Sequence, residues 1–242
     1  IGVGLSEYVG AREDAGIEFS NGKLSGRSLF LIDGKNADVY LLANKSGELF
    51  LVEASDPGIE VIELTTVDKT RTSIELILKN VDADLLSGSS DKSVIEKVLD
   101  AGRIMLAADT VGAAQVMLDK SVAYSLERKQ FGRLIGSFQA VKHMCAEMAA
   151  ELEPCHSMIW HAAHCFDNVP EEARLMACQT KAHISEVGQQ VSKTATEVHG
   201  GMGFTDELGL HYWFKRIGLN KQLLGSPELI REEAGRLQGF DQ

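Results

Sequence analysis

Proline is scarce in this chain of 242 residues: there are four, and none lies between Pro57 and Pro154. A stretch that long without proline can hold unbroken helices, because nothing removes a backbone donor or clashes with the preceding turn. No apolar run approaches the roughly twenty residues that a membrane span requires. The first residues lack a basic stretch followed by an apolar core, so no secretory signal is expected either. Positive charge is also short: 24 Lys and Arg against 35 Asp and Glu leave a formal charge of −11. That balance excludes nucleic acid as an expected partner, since phosphate binding needs a basic face. Cysteine is limited to Cys145, Cys155, Cys165 and Cys178, all in the second half. They read as small buried residues of a reducing compartment rather than a disulfide framework, and the cytoplasm is the expected location.

What is present falls into two halves. Hydrophobic residues make up 44% of the chain, enough for one large core or two modest ones. Residues 1 to about 88 read as short strands. Glu18 to Gly26 contains the Asn21-Gly22 hairpin signal. Apolar runs follow at Ser28 to Ile32, Asp38 to Ala43, Leu49 to Glu53, Ile59 to Leu64 and Ser73 to Leu78, with turn chemistry between them. Such closely spaced strands predict a small antiparallel barrel or sandwich. From Asp91 the period changes: Val94, Val98, Ala101, Met105 and Ala108 recur every three or four residues, one stripe of a helix. Helices are predicted from about Lys92 to Leu126, Ser137 to Pro154, Glu171 to Val198 and Asp206 to Leu224, with a short fifth opened by Pro227. Pro154 should end or kink the second. Short joins imply an antiparallel bundle. The expected fold is therefore α+β, a β-domain over 1–88 and a helical bundle over 89–242, with Gly88-Ser89-Ser90 at the boundary.

Two segments carry chemistry. In Glu127 to Gln139, a cation, a carboxamide and an aromatic ring stand at a helix end ahead of a glycine turn. Arg128 offers a forked permanent charge suited to phosphate, Gln130 can read a heteroaromatic edge, and Phe131 supplies a face to pack on. Further on, Glu197 to Thr205 contains Gly200-Gly201, where paired glycines let a backbone approach something bulky. Together, in this order between long helices, these segments resemble the C-terminal half of the acyl-CoA dehydrogenase family, which is FAD-dependent. The β-then-helical order resembles that family's middle and C-terminal domains. Members normally also carry an N-terminal helical domain, and nothing in this chain corresponds to it.

The resemblance implies a reaction: a carboxylate removes the α-proton of an acyl-CoA thioester while hydride passes to flavin, and the electrons go to an external acceptor. It also exposes what is missing. Family members place the base at one of two points. The first is matched here by Leu223-Leu224-Gly225-Ser226-Pro227 and the second by Gly102-Arg103, and neither has a carboxylate. The aromatic–hydrophobic–Thr/Ser run that approaches the flavin ring is matched by Phe30-Leu31-Ile32, without the hydroxyl. The flavin loop survives only as Ser6 to Arg12. In the family, the Arg-x-Gln-Phe-Gly and double-glycine segments contact the ADP part of a flavin held mainly by a neighbouring subunit. The expectation is a base-less subunit, with no catalytic residue of its own, that completes the flavin site of a homologous partner supplying the Glu. Arg128 would meet the pyrophosphate, Gln130 and Phe131 the adenosine side, and Gly200 and Gly201 would let the backbone close in. Two rivals are a self-sufficient homotetramer with an unrecognised base and a flavin-free scaffold subunit.

Other features have plainer readings. His199 is read as a capping or packed residue and Phe138 as core. Glu96 and Asp100 should be exposed, and Glu171-Glu172 and Glu232-Glu233 should be solvated faces. Trp160 and Trp213 are packing or interface residues. Asn44-Lys45-Ser46 fits a glycosylation sequon by chance. His161 and Cys165 stand one turn apart beside Cys155, His156 and His164, but the spacing fits no closed zinc pattern, so no metal is expected.

Overall fold

Asn21 and Gly22 both adopt left-handed backbone conformations, φ 52° and 78°, and pair Ser20 with Lys23 across a two-residue turn. This is the twist that a tight hairpin demands, and Asn-Gly reaches it at little cost. It joins β2 (Gly16–Ser20) to β3 (Lys23–Ile32) in a computed structural model that describes residues 1–9, 13 and 15–240. Beyond β3 lie β7 (Ser73–Asp82) and then β6 (Ile59–Leu64), all antiparallel, in the order β2-β3-β7-β6. A second sheet runs β1-β4-β5-β8, from β1 (Gly2–Gly4), β4 (Val39–Ala43), β5 (Leu49–Glu53) and β8 (Asp84–Leu85). Ile17, Leu24, Leu31 and Leu76 of the first sheet share one buried cluster with Tyr40, Leu42, Phe50 and Val52 of the second. That is the sandwich form of the expected β-domain. One pairing departs from it: β1 runs parallel to β4. A Cβ would stand 2.8 Å from Tyr40 Cδ1 at Gly2 and 2.4 Å from Ser28 Oγ at Gly4, so two of the three positions of β1 favour glycine, which hides it from strand propensity. A single helical turn, α1 (Ser6–Val9), follows β1.

The helices form a second unit. The described chain divides into Ile1–Leu99 and Asp100–Gln242. The helices are α2 (Lys92–Glu127), α3 (Gln139–Asn168), α4 (Pro170–His199), α5 (Leu210–Gln222) and α6 (Pro227–Leu237). Their core joins Ala107, Val111 and Met117 of α2 to Met148 and Leu152 of α3, Val191 and Ala195 of α4, and Ile217 of α5. No described helix is long and apolar enough to cross a membrane.

Three expectations about these helices need correcting. First, α2 buries Ile95, Leu99, Ala107 and Val111, one position away from the predicted stripe, and Met105 is 71% exposed. The helix is apolar on more than one face, so periodicity alone does not choose which turns inward. Second, α3 does not end at Pro154 but continues through it to Asn168. Pro154 and Ala150, whose carbonyl loses its partner, are both exposed, so solvent can take up the freed acceptor. The burial of Met148, Leu152 and Cys155 on the same helix offsets a cost of about 3 kcal/mol. Third, Asp100 is buried and Glu233 half-buried rather than solvated. Both neutralise arginines: Arg103 donates to Glu233 Oε2 at 2.8 Å, and Arg174 donates to Asp100 Oδ1 at 3.1 Å and pairs with Glu233.

Beside this cluster the Lys181 ammonium is fully buried, donating to Ser185 Oγ at 3.1 Å and to the Lys221 carbonyl at 3.3 Å in the last turn of α5. Burial, with the charges of Arg103 and Lys221 adding to it, pushes its pKa from 10.5 down to about 7. The unfolded chain holds this proton more tightly than the folded one between those values, so stability rises with pH across that window. Lys181→Met should remove that slope, which is at most about 1.4 kcal/mol per pH unit, in urea denaturation from pH 7 to 10. An unchanged slope would assign it to another group.

Candidate functional site

The segment after α2 is a miniature hairpin. The Arg128 amide donates to Tyr124 O at 2.9 Å, closing the helix, and the Ile135 amide donates to Arg128 O at 2.8 Å, closing the loop. Between them β9 (Lys129–Gln130) pairs with β10 (Arg133–Leu134) across a Phe131-Gly132 turn. Both turn residues are left-handed, φ 53° and 75°. For a bulky residue such as Phe131 that conformation costs about 1–3 kcal/mol, yet its ring is 91% exposed at the tip. The Phe131 ring stands edge-on to half-buried Phe138, centroids 6.1 Å apart, and the Arg133 guanidinium lies 3.8 Å over the Phe138 ring. Arg128 and Gln130 are both exposed, and Arg128 has no side-chain partner among the described residues.

The double glycine follows α4. His199 is buried, and its Nδ1–H donates to the Ala195 carbonyl at 2.7 Å. That bond fixes the tautomer, because a carbonyl only accepts. Burial lowers the His199 pKa, keeping the ring neutral. The imidazole stacks on Tyr124 of α2, centroids 4.6 Å apart and planes 28° off parallel. Tyr124 lies one turn before Arg128 and His199 one residue before Gly200, so this stack brings both predicted segments to one end of the bundle. His199 is therefore packed, as its plain reading has it.

The two glycines have different reasons to be glycine. Gly200 adopts φ 57°, ψ −139°, a conformation closed to other residues. Gly201 has no positive φ, and a Cβ there would meet nothing within 4 Å. Nothing inside the described chain requires glycine at Gly201. The space beside Gly201 is open, and Arg128, Gln130 and Phe131 of the other segment are exposed.

The two points matched to the family's base converge as well. A Cβ on Gly102 would stand 2.5 Å from Leu224 Cδ1, so the Leu224 side chain covers Gly102. Leu224 is itself left-handed at φ 56°, and its carbonyl accepts from Arg103 Nε at 3.2 Å. The nearby carboxylates are engaged by arginines. Burial pushes Asp100 up to about 6 against the opposing charges of Arg174 and Arg103. Glu233 is held low: burial works to raise it, but the hydrogen bond and charge of Arg103 win. Sequence reasoning missed this network and Tyr124, whose partners lie tens of residues away on other helices and leave no local signal. In the β-domain, Phe30 is left-handed at φ 55° and partly exposed, Leu31 is buried, and Ile32 pairs with Ser73. Of the Ser6 to Arg12 segment, Gly10, Ala11, Arg12 and the side chains of Ser6 and Glu7 lie outside the described residues.

Residues 92–237 match the acyl-CoA dehydrogenase C-terminal domain. The chain belongs to the acyl-CoA dehydrogenase family. It is 39% identical over 207 residues to the probable acyl-CoA dehydrogenase YngJ of Bacillus subtilis, covering 83% of this chain and 53% of that one. It is 31% identical to the caffeyl-CoA reductase-Etf complex subunit CarC of Acetobacterium woodii, over 75% of this chain and 44% of the relative. A structure described as the electron transferring flavoprotein of Acidaminococcus fermentans superposes with a TM-score of 0.88 at 27% identity, over 98% of this chain and 67% of the other. The chain spans about half the length of these curated relatives. Family members are FAD-dependent flavoproteins, and the α+β fold is that of acyl-CoA dehydrogenase structures.

The geometry separates the two glycines by experiment. Gly201→Ala should leave chemical-denaturation stability within about 0.5 kcal/mol of the parent, whereas Gly200→Ala should lose about 1–3 kcal/mol.

Proposed function

We propose that this chain is a subunit of an FAD-dependent acyl-CoA dehydrogenase assembly that completes the flavin site of a homologous partner, the partner supplying the catalytic Glu. The observation that carries this reading is the Leu224 side chain packed over Gly102. Both points where the family keeps a base meet there, and the meeting point is apolar. The opposite treatment of Arg128, Gln130, Phe131 and Gly201, which stay open to the outside, supports a site whose other half belongs to a different polypeptide.

Bound FAD would supply hydride acceptance in the α,β-desaturation of an acyl-CoA thioester. This chain's contribution is binding and orientation. The Arg128 fork pairs with the pyrophosphate, where a planar two-pronged donor matches the oxygens better than a point charge. Gln130 and Phe131 face the adenosine side, the carboxamide offering one donor and one acceptor group and the ring a stacking face. Gly200 and Gly201 let the backbone close in. Electrons leave to an external acceptor, a reading supported by a relative named as a subunit of a complex with Etf. The four free cysteines suit a reducing cytoplasm.

The test is flavin content. Purified alone, the chain should be colourless or weakly flavinated and without dehydrogenase activity, and should gain both flavin and turnover when mixed with its partner. In that complex Arg128→Ala should weaken FAD binding about 10- to 100-fold, the worth of one charge-assisted contact, with Arg128→Lys between the two. A yellow chain that turns over by itself would overturn the partner requirement. Flavin retained in full by the Arg128→Ala complex would return the scaffold reading.

A further inference from the structure

The end of α3 and the start of α4 bring together three metal-ligating side chains that the flavin site does not use. His161 and Cys165 are one turn apart on the same face of α3. The Val169-Pro170 junction then reverses the chain, with the Val169 amide donating to Cys165 O at 2.9 Å. That reversal places Glu172, in the first turn of α4, against the same thiol. Cys165 Sγ lies 3.7 Å from His161 Nε2 and 4.0 Å from Glu172 Oε2, and one ligand atom from each of the three falls within 4.8 Å of the others. Around a tetrahedral zinc, bonds of about 2.0–2.3 Å put neighbouring ligand atoms roughly 3.5 Å apart. The sulfur edges need to close by about half an ångström at most, and the His161–Glu172 edge, within 4.8 Å, toward about 3.3 Å.

We propose that His161, Cys165 and Glu172 bind one divalent cation of the zinc class, with the fourth position left to solvent. The expectation that no metal binds rested on spacing along α3, which cannot show a ligand arriving from α4. Three physical points favour a soft or borderline cation. The donor set is one imidazole nitrogen, one thiol sulfur and one carboxylate oxygen, which suits zinc and not magnesium or calcium. Cys165 is buried while His161 and Glu172 are exposed, so two ligands can swing onto an ion held from beneath by the sulfur. Glu171 and Glu172 place two carboxylates at the start of α4 beside the thiol, a negative surrounding that favours a cation. A bound cation displaces the thiol proton. The Cys165 S–H bond breaks, its proton leaves to solvent, and the thiolate keeps the electron pair as a metal ligand. His164 and Asn168 lie alongside, engaged with one another through Asn168 Nδ2, which also donates to His164 O at 3.0 Å. Bound metal would clamp the α3–α4 turn.

The experiment uses the full chain after chelator treatment and dialysis. Zn²⁺ is titrated against a chromophoric chelator, and Co²⁺ is added in parallel as a spectroscopic probe. The parent should take up one equivalent of zinc, release a proton on doing so, and show a near-ultraviolet thiolate-to-cobalt absorption. His161→Ala and Glu172→Gln, both at exposed positions that should not disturb folding, should weaken zinc roughly tenfold or more. Cys165→Ser should abolish the cobalt band, and millimolar Mg²⁺ should not compete. Equal zinc affinity in the parent and the two exposed-ligand variants would overturn the proposal. So would a cobalt band surviving Cys165→Ser, which would assign the thiolate to another cysteine.

Discussion

The Tyr124–His199 stack is the constraint on which the candidate site depends. It joins the last full turn of α2 to the last residue of α4, and every proposed cofactor contact hangs from one of those two ends. The imidazole can serve as a packing surface because it is neutral. Burial and the nearby Lys120 charge disfavour its protonation, and its Nδ1–H is spent on the Ala195 carbonyl. A charged ring there would lack a carboxylate partner and would be driven back toward solvent. Stacking of this kind is worth about 0.5–1.5 kcal/mol beyond its area, modest against the core, but it acts between two helix termini where fraying is otherwise easiest. With the stack in place, the Arg128 hairpin and the Gly200 turn are held by rigid helices rather than by each other.

The junction at Gly102 and Leu224 follows a different logic. Arg103 is fully buried and shares its donors among the Leu224 carbonyl, the Cys178 sulfur and Glu233. Arg174 and Asp100 complete the neutralisation. Removing one member of such a buried set is expensive because the remainder are left as uncompensated charges, which is why the set persists as a unit. Its product is geometric: the guanidinium holds a left-handed leucine in place and so presents its side chain to Gly102. The scaffold that could position a base is intact, while the position itself is aliphatic. On the proposed reading, an aliphatic contact where a base would stand leaves the fold around it intact.

Legibility in the sequence follows the range of the interactions concerned. Asn21-Gly22, Pro170 and Pro227 announced their turns and helix starts because each acts through its own backbone. The longer strands of the first half were legible for the same reason, but not the two-residue β8 or β1, whose glycines are required by Tyr40 and Ser28 from elsewhere in the chain. The face of α2, the tolerance of Pro154, the burial of Asp100 and Glu233 and the approach of Glu172 to Cys165 are settled by partners on other helices, and no window of residues contains them. Arg128, Gln130 and Phe131 stand out as a group in the sequence only because a motif concentrates them in a few positions. That their segment is a hairpin with Phe131 at its left-handed tip was not legible.

Gly201, Phe131 and Arg128 are not accounted for by contacts within the described chain. Gly201 has neither a special backbone angle nor a neighbour that a methyl group would strike. Phe131 accepts a strained conformation to hold its ring almost wholly in solvent. Arg128 has no partner among the described residues. In a protein whose other prominent cation, Arg103, is saturated with acceptors, this pattern is the opposite of internal packing. A strained, exposed aromatic returns no burial energy to its own fold, and a glycine facing empty space gives up backbone rigidity without a compensating contact. Under the proposed function, both would be offset by a ligand that brings phosphate to the guanidinium, a flat face to the ring and bulk to the glycine. Meanwhile Leu224 over Gly102 needs nothing external, since each accounts for the other. One end of the bundle is closed by contacts within the chain; at the other, Phe131 is exposed, the Arg128 side chain has no partner among the described residues and a Cβ at Gly201 would meet nothing within 4 Å, and this contrast is the basis of the proposed function.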